Sequence, residues 1–158
     1  MSVVLGLDLG GKLGWCVLDG DELRAASVQR IGVRPGPRGG LVEVPGLRAR
    51  DLRAFLRGLL VEYVPEVLAF ERVRRHAGTD AAHVYGALRH AVLEVLATMD
   101  RPPRLVEVEV AAGKRALAGK GNADKAAAVA AAESLHPGRP WPEDAADALG
   151  VALAGGRS

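Results

Sequence analysis

Residues 3–21, VVLGLDLGGKLGWCVLDGD, decide the fold of this chain, because strand-like apolar runs alternate there with short turns. The glycine-rich segment GGKLG interrupts the first apolar run, and the turn DGD is typical of a β-hairpin. We predict strands at 3–9, 14–18 and 24–33. They are expected to form an antiparallel meander, and the first strand carries a single acid, Asp8, near its end.

The rest of the chain alternates between helical and strand patterns, interrupted by a Pro/Gly loop, RPGPRGG, at 34–40. We predict helices at 47–63, 79–99, 123–134 and 143–154, and strands at 65–71 and 104–110. The β-helix-β-helix-β order after the meander implies that three strands run parallel under covering helices. The sequence therefore predicts one α/β domain, residues 1–158, with a five-stranded mixed sheet flanked by helices.

Composition limits the class of protein to which the chain belongs. Hydrophobic residues make up 49% of it and charged residues 25%, as in soluble globular proteins with an aliphatic core. The single cysteine, Cys16, has no disulfide partner within the chain and is interpreted as a small core residue. We find neither a signal-peptide layout nor an apolar stretch of membrane-spanning length, which favours a cytoplasmic protein without membrane contact.

The charge balance favours an anionic partner. The chain has 21 Lys and Arg residues against 19 Asp and Glu, a formal net charge of +2. If a metal site absorbs four of the acids, the surplus over the remainder rises to +6. Such a surplus favours a polyanion, and nucleic acid is the common one.

Four acidic residues occupy positions where a ligand site is expected. Asp8 and Glu71 end predicted parallel strands, and such strand ends face the ligand-binding crevice of an α/β sheet. Asp144 and Asp147, spaced i and i+3, share one face of the last helix. Converging carboxylates repel one another unless cations neutralise them, and all-oxygen ligands favour Mg²⁺ or Mn²⁺. Two such ions would activate water for phosphodiester hydrolysis.

The same acids also have structural interpretations. The two aspartates of the last helix lie where acids complement a helix dipole. Glu71 has Arg72 and Arg74 nearby as surface partners. Asp8, however, lies inside an apolar strand and needs a partner. The joint occurrence of all four acids favours the metal site.

Four segments of the sequence carry a resemblance to a known family. They are GLDLGGKLGWCV (6–17), LAFERV (68–73), AAGKRALAGKGNADKAAAVAAA (111–132) and EDAADALGVAL (143–153). In order and interval they resemble the RuvC family of Holliday-junction resolvases. The last segment is the most specific, because two aspartates separated by two alanines open a helix. The resemblance implies a ribonuclease H-like fold, a homodimer and metal-dependent cleavage of four-way DNA junctions.

The resemblance also implies roles for individual residues. The catalytic carboxylates, which would hold two Mg²⁺ or Mn²⁺ ions, are Asp8, Glu71, Asp144 and Asp147. The lysines expected near the scissile phosphate or the junction backbone are Lys114 and Lys125. The predicted DNA-binding residues are Arg72, Arg74, Arg75, Lys114, Lys120, Asn122 and Lys125.

The segment AGKGNADK, residues 118–125, points to phosphate binding independently of the resemblance. Its glycines let the backbone approach a phosphate, and Asn122 or Asp124 is placed to cap a helix whose N-terminus offers N–H groups to an anion. The alternative is an ordinary glycine-rich helix cap. This segment and the compact length resemble the RuvC-like resolvases of bacteriophages, which accept a broader set of branched DNAs.

The sequence departs from the cellular resolvases after the second acid. Where those proteins carry an aromatic residue that wedges into the junction, this chain has Arg74, Arg75 and His76. Arginine stacks on bases or binds phosphate, so junction binding is still expected. Exclusive selectivity for four-way junctions is not expected.

The predicted helix at 79–99 supplies a physical reason for dimerisation. Besides its main apolar stripe it carries a second strip of apolar or small residues, Ala81, Ala82, Tyr85 and Ala87. A two-fold partner would bury such a strip. Two sites related by symmetry would then nick opposing strands of a junction.

Three other functions fit parts of the sequence. An actin-like phosphotransferase would use DLGGKLG to hold a nucleotide phosphate, but 158 residues are too few for two lobes. A DNA-binding module of the same fold would lack the convergent acids. A nuclease acting on RNA, on RNA–DNA hybrids or on other branched DNA uses the same chemistry and remains open.

Overall fold

The order of strands and helices in the computed structural model, which describes residues 2–158, follows the predicted order. The strands are β1 (Val3–Asp8), β2 (Lys12–Asp19), β3 (Glu22–Arg30), β4 (Val33–Pro35), β5 (Leu41–Glu43), β6 (Val67–Arg72) and β7 (Arg104–Glu109). The helices are α1 (Arg48–Tyr63), α2 (Thr79–Ala97), α3 (Val110–Ala118), α4 (Lys125–Leu135) and α5 (Glu143–Gly156). Met1, the first residue of the predicted domain, lies outside the described residues.

Five strands form one mixed sheet in the order β3-β2-β1-β6-β7. The meander β1-β2-β3 is antiparallel, and β1, β6 and β7 are parallel. This confirms the predicted five-stranded mixed sheet. Leu7 pairs in register with Phe70, so the residues that follow them, Asp8 and Glu71, lie side by side at one edge.

Alternating side chains of the central strands fill two separate cores. Leu5, Leu7 and Val17 point to one face and pack with α1 and α2. Val4 and Cys16 point to the other face and pack with α4 and α5. The two-residue period of a strand thus builds both layers, and burial of Cys16 confirms its interpretation as a core residue.

Helix α5 lies unusually close to the sheet because small residues face each other across the contact. A Cβ atom on Gly6 of β1 would lie 2.7 Å from the Ala152 backbone nitrogen, and one on Gly155 of α5 would collide with the Ala69 Cβ on β6. Real Cβ atoms do not approach so closely, so these positions admit only glycine. The small-residue composition of EDAADALGVALAGG therefore sets how near α5 comes to β1.

Two predictions along the chain need correction. The third strand ends at Arg30 rather than at 33, because Ile31 and Gly32 interrupt the strand. The chain then forms a second hairpin, β4–β5, around the predicted loop. The hairpin is held to α1 by Arg34, whose guanidinium donates two hydrogen bonds of 2.8 Å to the Asp51 carboxylate. No helix was predicted at 110–118, because the strand pattern EVEV runs directly into it and Gly113 interrupts its apolar spacing.

No helix within residues 2–158 is both long and apolar enough to cross a membrane.

Candidate active site

The four predicted carboxylates come from three elements that meet at one edge of the sheet. Asp8 ends β1, Glu71 lies near the end of β6, and Asp144 and Asp147 lie on the first turns of α5. Burial raises the pKa of Asp8 well above its usual value, and the charges of Glu71, Asp147 and Asp144 raise it further. Asp8 is therefore the centre of the cluster, since each of the other three acids acts on it.

The position of Asp144 is fixed by a glycine on the neighbouring strand. Gly14 is the cross-strand partner of Asp8. A Cβ atom on Gly14 would collide with the Asp144 carbonyl group and would lie 3.0 Å from the Asp144 Cβ. The first turn of α5 thus rests directly on β2, beside the end of β1.

The loop that precedes α5 is anchored by a tryptophan. Trp141 is 5% exposed, and its indole Nε1–H donates a hydrogen bond of 3.1 Å to the carbonyl oxygen of His136. The Arg139 guanidinium lies over the Trp141 ring, 4.6 Å from its centroid. This packing fixes where the last helix begins, and with it the two aspartates.

Glu71 is held in place through its backbone. The Tyr85 hydroxyl donates a hydrogen bond of 2.8 Å to the Glu71 carbonyl oxygen and accepts one of 3.3 Å from the Val73 N–H. Burial raises the pKa of the Glu71 carboxyl and Asp147 raises it further, whereas Lys114 lowers it. Tyr85 therefore secures the turn that follows the strand and leaves the Glu71 side chain facing the cluster.

The arginines that follow Glu71 pair with other acids. Arg72 Nε lies 3.7 Å from a carboxylate oxygen of Glu107, and Arg74 makes hydrogen bonds of 2.6 to 3.0 Å to Glu109. The alternative surface pairing of Glu71 is thus not observed. Arg75 is exposed, like Lys120 and Asn122 in the α3–α4 loop.

Two lysines flank the acidic cluster. Lys114 on α3 and Lys125 on α4 both lower the pKa of Asp147, which burial and Asp144 raise. Lys125 Nζ also lies 3.2 Å from Glu143, an acid that we did not predict. It lies one residue before Asp144, and its place in the first turn of α5 was the available signal.

Helix α4 begins at the predicted cap. The Asp124 carboxylate accepts a hydrogen bond of 2.8 Å from the Ala127 N–H. Asp124 is therefore the cap, and Asn122 is left exposed in the preceding turn. The cap fixes the position of Lys125, the first residue of α4.

The donor atoms of the cluster suit a hard divalent cation, because all of them are carboxylate oxygens. Burial and, after it, the neighbouring acids raise the pKa of Asp8, Glu71 and Asp147, and a bound cation would offset both effects. Across residues 2–158, however, no three His, Cys, Asp or Glu side chains are close enough together to form a preformed metal site. The four acids influence one another electrostatically, and their side chains would have to move closer together to hold an ion.

Sequence comparison identifies the family. The sequence model described as "Crossover junction endodeoxyribonuclease RuvC" matches residues 4–155. The chain belongs to the RuvC family. The RuvC protein of Pelodictyon phaeoclathratiforme is 36% identical over 155 residues, which cover 96% of this chain and 78% of that protein. RuvC of Vibrio parahaemolyticus is 29% identical over 159 residues, covering 97% and 86% respectively.

Solved structures of RuvC proteins share the fold. Thermus thermophilus RuvC in complex with a Holliday junction substrate superposes with a TM-score of 0.76 at 25% identity, covering 98% of this chain and 92% of that one. The yeast mitochondrial Holliday junction resolvase Ydc2 superposes with a TM-score of 0.65 at 18% identity, covering 97% and 77%. The ribonuclease H-like RuvC fold expected from the sequence is thereby confirmed.

The second apolar strip of α2, predicted to contact a two-fold partner, is partly buried against the same chain. Ala81 and Ala87 on α2 are exposed, whereas Ala82 and Tyr85 are half-buried. The Tyr85 hydroxyl points to the turn after Glu71, and its ring lies 5.2 Å from the His76 ring. The surface left for a partner is narrower than predicted.

Proposed function

We propose that this protein is a divalent-metal-dependent crossover junction endodeoxyribonuclease that resolves four-way DNA junctions. The observation that carries the proposal is the convergence of four carboxylates from β1, β6 and α5 at one edge of the sheet, where burial and then the other three acids raise the pKa of Asp8. Family membership and the Thermus thermophilus RuvC–junction complex support the substrate class. A cluster that resists its own ionisation needs a cation, and a carboxylate-held cation suits phosphodiester hydrolysis.

The proposed metal ligands are Asp8, Glu71, Asp144 and Asp147. They supply oxygen donors only, which favours Mg²⁺ or Mn²⁺, and four carboxylates suffice for two ions. When bound, the ions would lower the pKa of water and stabilise negative charge on the leaving oxygen. The role of the chain is to place the donors. The β6 acid and both α5 acids raise the pKa of Asp8, which makes Asp8 the central member of the proposed ligand set.

Lys114 and Lys125 are proposed to stabilise charge on the reacting phosphate. Both are close enough to the cluster to lower the pKa of Asp147, and a phosphate bound there would meet the same positive field. Lys125 begins α4, so a phosphate bound by Lys125 would also lie near the positive end of that helix dipole. The Lys125–Glu143 pair leaves the lysine 70% exposed and available to exchange its partner.

The proposed DNA-binding surface extends from the cluster along the residues after β6 and the α3–α4 loop. Arg75, Lys120 and Asn122 are exposed there. Arg72 and Arg74 would exchange Glu107 and Glu109 for phosphate groups, which costs little because exposed ion pairs are weak. We also propose a homodimer, because symmetric nicking of a four-way junction needs two sites related by a two-fold axis.

A broader nuclease acting on other branched DNA or on RNA–DNA hybrids is the second candidate. One observation favours it: the ring after β6, His76, packs against Tyr85 instead of projecting outward as a wedge. Without a wedge, the protein has less means of holding a four-way junction open. Selectivity would then depend on how a dimer spaces its two clefts.

A cleavage panel tests the proposal and separates the two candidates. Four-way junctions, three-way junctions, flaps, linear duplexes and RNA–DNA hybrids would be incubated with Mg²⁺ or Mn²⁺. We expect paired nicks in the four-way junction and none in linear duplex, with all cleavage lost in Asp8→Asn and retained in the exposed control Asp100→Asn. Equal cleavage of all branched substrates would favour the broader nuclease. Cleavage that persists in Asp8→Asn would contradict both.

A further inference from the structure

We propose that Lys12 and Arg30 form a second phosphate-binding wall of the cleft, which binds the backbone of the nucleic acid strand on the β2–β3 side of Asp144. The inference rests on the proposed nuclease function. It extends that function to residues other than the four proposed metal ligands and the two lysines beside them. Lys114 lowers the pKa of Glu71 and therefore lies on the β6 side of the cluster. Lys12 and Arg30 lie on β2 and β3, on the opposite side of Asp8 in the sheet.

The register of the sheet directs both side chains toward the cleft. Lys12 and Arg30 are cross-strand partners, so they project from the same face. Lys12 is two residues before Gly14, and Gly14 faces Asp144 across the α5 contact. Because side chains two apart on a strand share a face, Lys12 and Arg30 project on the α5 side, just beyond the N-terminus of that helix.

An open groove connects the two cations to the acidic cluster. Its volume is about 520 Å³, and it is lined by Lys12, Val28, Arg30, Pro142, Glu143 and Asp144. One wall of the groove is therefore basic, and the other carries Asp144, one of the proposed metal ligands. A nucleic acid strand bound in the groove would run from the basic wall directly to the proposed site of cleavage.

Lys12 and Arg30 have no counter-ion of their own. Most of the structure's ion pairs use arginine, yet neither of these two residues forms an ion pair with any residue in the 2–158 range. Like charges placed directly opposite on adjacent strands are destabilising. The fold therefore keeps an unfavourable pair at the mouth of the cleft, where a bound polyanion would make it favourable.

The groove favours a nucleic acid backbone over a small anion. Glu143 and Asp144 on the far wall repel a free anion, whereas a polymer held by contacts along its length tolerates that repulsion. Val28 and Pro142 add apolar surface without hydrogen-bond donors or acceptors that would read bases. The expected contact is therefore to phosphate and sugar, independent of sequence, and it positions the strand rather than selecting it.

The double variant Lys12→Gln/Arg30→Gln tests the inference against a charge-matched control, Arg57→Gln/Arg101→Gln. Arg57 lies on α1, on the other face of the sheet, and Arg101 precedes β7 at the edge opposite the cleft. Binding of a labelled four-way junction would be measured by fluorescence anisotropy in EDTA over a range of salt concentrations. Loss of two phosphate contacts should flatten the slope of log Kd against log salt by about 1.8 and weaken binding about tenfold at moderate salt.

The inference holds if the cleft variant flattens the slope, the control does not, and Lys12→Arg keeps the wild-type slope. It is overturned if the cleft and control variants give the same slope. Should the double variant unfold, each single variant carries the test with an expected change of about 0.9. Cleavage by wild-type protein that does not depend on Asp8 would instead refute the proposed function.

Discussion

The Asp144 carbonyl group lies against Gly14, the residue paired with Asp8 across the β1–β2 ladder, so closely that no side chain fits between them. This contact determines the distance between an acid of the sheet and an acid of the last helix. A larger residue at position 14 would push the first turn of α5 outward. The arrangement of the acidic cluster therefore depends on the absence of a side chain at position 14.

Gly14→Ala tests that relationship. Because the added methyl group would collide with the helix backbone, we expect a loss of about 1–3 kcal/mol in stability and weaker metal-dependent cleavage in the fraction that folds. The control is Gly11→Ala, since a Cβ atom on Gly11 would meet nothing within 4 Å. Thermal unfolding and single-turnover cleavage measure the two effects. Wild-type behaviour of Gly14→Ala would show that α5 can shift freely.

Removal of the Asp8 charge should stabilise the metal-free protein. Burial and three neighbouring acids raise the Asp8 pKa in the folded state, so its contribution to stability is present at low pH and lost as pH rises through that value. In EDTA near neutral pH, Asp8→Asn is therefore expected to unfold at a higher temperature than wild type.

The matched control for this charge effect is Asp100→Asn, an exposed position after α2. It removes the same charge without relieving the cluster, and its unfolding temperature should stay at the wild-type value. Added Mn²⁺ should stabilise wild type but not Asp8→Asn. An Asp8→Asn protein that is less stable than wild type in EDTA would contradict the proposed repulsion.

Tyr85→Phe should affect catalysis without affecting DNA binding. The substitution removes the hydrogen bonds that the hydroxyl makes to the Glu71 and Val73 backbone, so the Glu71 carboxylate loses its fixed position. We expect the cleavage rate to fall about tenfold, equivalent to about 1.4 kcal/mol of transition-state stabilisation, and the Mn²⁺ concentration for half-maximal rate to rise. Junction affinity in EDTA should not change.

Tyr63→Phe is the control for Tyr85→Phe, because Tyr63 packs against Trp15 on the other face of the sheet. It should leave both the rate and the Mn²⁺ dependence unchanged. If Tyr85→Phe lowers thermal stability but keeps the wild-type Mn²⁺ dependence, Tyr85 is structural and does not position the metal ligand.

The β4–β5 hairpin should detach from α1 in acid. The Arg34 hydrogen bonds, aided by the Gly32 N–H, lower the Asp51 pKa to about 2. A depressed pKa gives stability above the unfolded value of about 3.9 that is lost as pH falls toward the folded value. Asp51→Asn should therefore lower the unfolding temperature at neutral pH and lessen its decrease between about pH 5 and pH 2.

Asp21→Asn, in the exposed β2–β3 turn, is the control for Asp51→Asn. The control should unfold as wild type does between about pH 5 and pH 2, because Asp21 is exposed in a turn. Identical acid unfolding of wild type and Asp51→Asn would show that the Arg34–Asp51 pair does not hold the hairpin.

The sheet and most helices were predictable because their patterns are local. Alternation in VVLGLD and the turn DGD specify the meander, and the apolar stripe of α2 is continuous. Helix α3 was missed because a strand pattern runs into it without a break. The β4–β5 hairpin was missed because its strands are only three residues each and its contact with α1 joins Arg34 to Asp51, 17 residues apart.

The candidate site was predictable where chemistry and position coincide. An acid at the end of an apolar strand is conspicuous, and both Asp8 and Glu71 were recognised in this way. The contributions of Gly14, Tyr85, Lys12 and Arg30 depend on which elements pack together. A hydroxyl that supports a backbone, or a glycine that admits a helix, leaves no signal in one sequence.

The most direct test of the central claim is the single-turnover rate of four-way junction cleavage as a function of Mn²⁺ concentration. The claim is that Asp8, with the acids of β6 and α5, holds the divalent cations needed for cleavage. We predict that the wild-type rate rises from zero in EDTA to a plateau, while Asp8→Asn binds the junction with wild-type affinity and cuts it at no Mn²⁺ concentration. Cleavage by wild type in EDTA, or a wild-type Mn²⁺ curve for Asp8→Asn, would contradict the account.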